Sequence, residues 1–80
     1  MTEKKEILLS IVKPGQKVRL VKVDSGQGLR ARLMSMGITQ NIEFSVVSNS
    51  HPGPFIIKVK GAKIALGRGA ANKIMVVLVQ

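Results

Sequence analysis

Residues 26–38 read GQGLRARLMSMGI, and the fold turns on whether this run is a helix. Leu29, Leu33 and Met36 fall at i, i+4 and i+7, one apolar stripe at helical spacing, while Arg30, Arg32 and Ser35 lie off it. The spacing predicts a short helix that packs by one side. Gly37 enters a left-handed conformation without strain, so it closes the helix, and Ile38 then folds back on Leu33 in a Schellman stop. Gly26 and Gly28 are poor helix formers. The first turn is therefore expected near Leu29, with Asp24 to Gly28 as a flexible lead-in.

Upstream, Leu9 to Gly15 reads LSIVKPG, and Pro14 and Gly15 suit the two central positions of a type II turn. Apolar and basic residues alternate from Lys17 to Leu20, but Val21 and Val23 carry the apolar pattern on the opposite parity. A bulge near Leu20 to Lys22 would reconcile the two halves, and strands that curl into small barrels commonly need one.

Downstream, Ile42 to Ser48 reads as a strand with Ile42, Phe44 and Val46 on one face. The run NSHPGP at 49–54 describes a surface loop. Phe55 to Lys60 then alternates cleanly, with Phe55, Ile57 and Val59 opposite Lys58 and Lys60. A tight reversal at Gly61 and Ala62 leads into a strand over Lys63 to Leu66, which Gly67, Arg68 and Gly69 break. Ala70 to Lys73 suits one helical turn. Ile74 to Val79 is apolar on both parities, so Met75, Val77 and Val79 need cover from Ile7 to Leu9, a second copy or a partner protein. About five short strands, with one small helix after the first, describe a mainly β, partly open barrel of the SH3-like kind.

Eighty residues allow one domain with one core, expected over residues 9–80 behind a flexible segment 1–8. Glu3 and Glu6 offset Lys4 and Lys5, so the net charge of +9 falls wholly on the folded part. Such a surface favours an acidic partner, or simply keeps a small apolar domain soluble. With no Cys and no apolar run of spanning length, a soluble, unprocessed cytoplasmic chain is expected.

Four acids and one His leave little from which to build general acid–base catalysis or a metal site. Neither an enzyme nor a cofactor is expected. Glu3 and Glu6 lie in the N-terminal segment, and His51 lies in the Pro/Gly loop with no acid nearby to orient it. Neither G-x-G-x-x-G nor G-x-x-x-x-G-K-[ST] occurs. A nucleic-acid-binding barrel is the alternative raised by charge, but there is no Tyr or Trp, and Phe44 and Phe55 both fall on core parity rather than offering a stacking platform.

The run Arg32-Leu33-x-x-Met36-Gly37-Ile38 resembles the R-L-x-x-L-G-[IL] signature of the ferrous iron transport protein A (FeoA) family. The likeness extends over about residues 9–79. Leu9-Ser10, Lys13-Pro14-Gly15 and the strand after them are similar to that family's opening. Ile64-Ala65-Leu66-Gly67, Ala70-Ala71 and Ile74-x-Val76 resemble its close. Two departures stand out. Thr39-Gln40-Asn41 replaces the usual Pro-Gly, leaving Asn41 as the residue tolerant of a left-handed turn, and Met36 replaces a commoner Leu.

The resemblance implies an accessory barrel working beside a membrane ferrous iron permease that carries a cytoplasmic GTPase domain, without itself holding iron. Related domains at the C-terminus of iron-dependent repressors engage other parts of the same protein. The expected contact surface is the outer side of the helix (Arg30, Arg32, Met34) together with Met75, Val77 and Val79 on the last strand. A solvated face and packing under the N-terminal segment are the plainer readings of these two sets. Leu29, Leu33, Met36, Gly37, Ile38, Pro14 and Gly15 are assigned to structure. Self-association remains a further possibility for the uncovered strand.

Overall fold

The computed structural model describes residues 5–24, 27–50 and 52–79. The readings of Glu3, Lys4, Gly26 and His51 lie outside them. Among the described residues the strands are β1 (Ile7–Leu8), β2 (Lys17–Val23), β3 (Glu43–Asn49), β4 (Phe55–Val59), β5 (Ala62–Leu66) and β6 (Ile74–Val79). Helix α1 (Gln27–Ser35) joins β2 to β3, the one-turn α2 (Arg68–Ala71) precedes β6, and a turn of 3-10 helix (Leu9–Ile11) follows β1. All pairings are antiparallel, in the spatial order β1-β6-β2-β3-β4-β5. The result is a mainly β, partly open SH3-like sheet curled around one core.

The fold departs from the sequence expectation first at its edge. Ile7 and Leu8 pair with Val76 and Met75, so the ordered sheet begins before residue 9 and gains a sixth strand. This segment extends β6 sideways rather than lying across it. Leu9 then turns inward and is fully buried.

The break in alternation along β2 is a bulge. Leu20 pairs with Val76 and Val23 with Ile74, while the register shifts between Leu20 and Lys22. Val21 is the extra residue, and because of it two apolar residues three apart both face the core. The Gln40 side chain donates to the Val21 carbonyl, giving the displaced peptide a partner. A second shift between Val46 and Ser48 leaves Val47 turned outward.

Turn chemistry follows the residues closely. Gly15 has φ +90° and the Gln16 amide donates to the Lys13 carbonyl at 3.2 Å, closing the Pro14-Gly15 turn. Asn41 takes the left-handed position with φ +67°. The β4–β5 reversal falls one residue earlier than expected, at Lys60 (φ +50°) and Gly61 (φ +85°), because Val59 and Ala62 already pair. Two successive positive φ values make this a type I′ hairpin turn.

The core gathers Val18 and Leu20 from β2, Leu33 and Ile38 from the helix and its stop, Phe44, Phe55 and Ile57 from β3 and β4, and Ile74 and Val76 from β6. Each large apolar side chain so buried contributes roughly 1.5–3 kcal/mol relative to exposure. Both phenylalanines are committed here, Phe44 at 2% and Phe55 at 0% exposure.

Candidate functional site

Helix α1 starts at Gln27, two residues before the expected first turn, with Gly28 inside it. Burial of Leu33 outweighs the small penalty of one helical glycine. At the far end the Gly37 amide donates to the Met34 carbonyl at 3.0 Å and the Ile38 amide to the Leu33 carbonyl at 2.9 Å. With Gly37 at φ +87°, these are the two bonds of a Schellman stop.

The same stop corrects the expected stripe. The Met36 amide bonds to the Leu33 carbonyl, three residues back, so the last turn is tightened and Met36 rotates off the line of Leu29 and Leu33. Leu33 is 1% exposed and Met36 is 36% exposed. Periodicity assumes that the helix continues; here it ends at Ser35.

Arg30, Arg32 and Met34 are all exposed, as expected of the outer side. Spacing by four places Arg30 beside Met34 along the helix, and the tightened end brings Met36 to the flank that Arg32 lines. A groove of about 370 Å³ lies on one flank, lined by Leu20, Val23, Arg30, Met34, Ile38 and Gln40. A second, of about 330 Å³, lies on the other, where Leu29, Arg32 and Met36 face Leu66 and Ala70. Each groove therefore combines an arginine with an adaptable thioether over an apolar floor. Flexible methionines conform to apolar surfaces, and guanidinium groups bind carboxylates through paired N–H donors. This chemistry suits protein contact. Met36 belongs to that surface, which the sequence reading missed because it placed Met36 in the core.

The last strand does not offer the face expected of it. Val77 is buried at 5% exposure, and Met75 and Val79 are half-buried. β6 is a central strand flanked by β1 and β2, and neighbouring side chains such as half-buried Arg19, opposite Val77, shield a residue in that position. The exposed apolar residue here is Leu78, at 37%.

A polar junction ties the end of β3 to the turn after β1. Asn49 at the end of β3 donates through Nδ2 to the carbonyls of Ser10 (3.0 Å) and Val12 (2.7 Å). Among the described residues, no group of three His, Cys, Asp or Glu side chains is placed to hold a metal ion. Nor is any helix there long and apolar enough to cross a membrane.

These observations define a small SH3-like barrel with an exposed helix set between two grooves. The family model described as the FeoA domain matches residues 7–78. The Methanocaldococcus jannaschii protein named, provisionally, Fe(2+) transport protein A is 47% identical over 68 residues, covering 85% of this chain and 82% of its own. The crystal structure of an iron uptake regulatory protein (FeoA) superposes with a TM-score of 0.86 at 35% identity, over 94% of this chain and all of that one. A manganese-dependent transcriptional repressor shares the fold at a TM-score of 0.85 and 20% identity, over 98% of this chain and 44% of its own. The chain belongs to the FeoA domain family, and ferrous iron transport is the process for which such relatives are named.

Proposed function

We propose that this protein is a cytoplasmic, non-enzymatic interaction module that supports a membrane ferrous iron transporter carrying a GTPase domain. Family membership across residues 7–78 supports the process. The observation that carries the mode of action is the exposed side of α1, where Arg30 with Met34 and Arg32 with Met36 edge two apolar grooves. Arginine and adaptable apolar side chains at a groove are the makings of a protein-binding hot spot. Met75 and Val79 lie outside the grooves, so α1 is the primary contact.

The test is a two-dimensional amide NMR titration of the labelled protein with the cytoplasmic GTPase domain of the same organism's ferrous iron permease, with a duplex oligonucleotide as control. Shifts clustered at Arg30 to Met36 with the GTPase domain alone are the expected result. A spectrum perturbed only by the oligonucleotide would reject the reading.

A further inference from the structure

The strand register assembles a row of lysines that no stretch of sequence displays. Lys17 on β2 pairs with Ser45 on β3, Ser45 with Lys58 on β4, and Lys58 with Lys63 on β5. Directly paired residues of neighbouring strands point to the same side of a sheet, and these lie opposite the core-facing Val18, Phe44 and Ile57. All three lysines are exposed. They lie across the four neighbouring strands β2 to β5. Arg19 on β2 and Lys60 in the β4–β5 turn add to the same region, and Glu43 is the one acid in β2 to β5. Glu43 pairs with Lys17 at 3.4 Å, and among the described residues no acid pairs with Lys58 or Lys63.

Lys58 directly opposite Lys63 is an arrangement that costs stability through like-charge repulsion. The small Ser45 between Lys17 and Lys58 leaves a shallow depression of about 510 Å³, bordered also by Lys60 and Gly61. One step along the strands the same face turns apolar: half-buried Ile56 stands opposite Ala65, and Val47 is 37% exposed. Helices that rest at a lipid interface combine lysines with apolar residues in a comparable way. Lysine is a strongly hydrated point charge on a flexible stem, suited to a plane of phosphates rather than to a fixed carboxylate fork. Both Phe side chains are buried, so this face has no aromatic platform for stacking bases.

We infer that the outer face of β2 to β5 docks on an anionic phospholipid bilayer through Lys17, Lys58 and Lys63. The inference does not depend on which protein meets α1.

Co-sedimentation with vesicles tests it, using phosphatidylcholine alone and phosphatidylcholine mixed with phosphatidylglycerol, with no other protein present. Binding to the mixed vesicles only, weakening as salt is raised, is expected. With each lysine near an anionic surface accounting for about fivefold in affinity, the triple change Lys17→Gln, Lys58→Gln, Lys63→Gln lowers binding on the order of 100-fold. Arg30→Gln with Arg32→Gln leaves it nearly unchanged, and retained thermal stability shows that both variants are folded. Absence of binding to anionic vesicles at low salt overturns the inference. So does equal loss in the two variants, or lysine-dependent binding to duplex DNA in place of vesicles.

Discussion

The Arg68 guanidinium donates to the side-chain oxygen of Asn49 at 2.7 Å, and so fixes which way that amide points. With Oδ1 turned to Arg68, Nδ2 faces the carbonyls of Ser10 and Val12. A second Arg68 nitrogen donates to the Ser50 carbonyl, and its guanidinium carbon lies 5.9 Å from the centre of the Phe55 ring. One arginine on α2 thus sets a junction among β3, the turn after β1 and the core.

Asn49→Ala strips two part-buried carbonyls of their donor and should cost about 2 kcal/mol, read from the urea midpoint at unchanged slope. Arg68→Ala should cost about 1 kcal/mol or more, since it loses two hydrogen bonds, one of them exposed, and a cation–π contact. Because the residues act as one unit, the double variant should cost less than the sum of the two. Strict additivity would show that Arg68 does not orient the amide.

Leu33 and Met36 separate core from surface within one turn of chain. Leu33→Ala is expected to cost about 2–5 kcal/mol. Met36→Ala should fall within about 0.5 kcal/mol of the wild type, as an exposed position does. Equal destabilisation on thermal unfolding would return Met36 to the core.

A Cβ added at Gly37 meets nothing within 4 Å, so any penalty there comes from its φ of +87° and not from crowding. Gly37→Asn should therefore be mild, and Gly37→Val should cost about 1–2 kcal/mol, since a β-branched residue tolerates the left-handed region poorly. Chemical denaturation of the two variants gives the comparison. Equal midpoints would deny that the Schellman turn is under strain.

On the outer side of α1, Arg30→Ala and Met34→Ala should leave stability within about 0.5 kcal/mol. The same changes should abolish the amide shifts at Arg30 to Met36 in the GTPase-domain titration. Shifts that persist in the double variant would move the contact elsewhere.

Where backbone conformation is set by a residue's own covalent structure, the sequence reading and the structure mostly agree, the exceptions being Gly28, which lies inside α1, and the β4–β5 turn, which falls one residue early. Pro14-Gly15 turns, Gly37 stops the helix, Asn41 takes the left-handed position, and the parity slip after Leu20 is a bulge. Misreadings gather where a partner lies far along the chain. Ile7 and Leu8 are too few to show alternation, and only pairing with β6 makes them a strand. Burial of Val77 depends on both neighbours of β6, and the partners of Asn49 lie 19, 37 and 39 residues away. On α1, the exposure of Arg30, Arg32 and Met34 is legible from helical spacing. That of Met36 is not, because its position depends on where the helix ends.

The sheet order carries a consequence for how the molecule is made. β6 lies between β1 and β2, so the first two of the described strands meet only through the last of the six, which is synthesised after them. Hairpins such as β4–β5 can form during synthesis, since both partners are local. The nascent chain nonetheless waits with one edge of β2 unpaired, and with Val18 and Leu20 short of cover, until Ile74 to Val79 emerge. Until then it is in its most aggregation-prone condition.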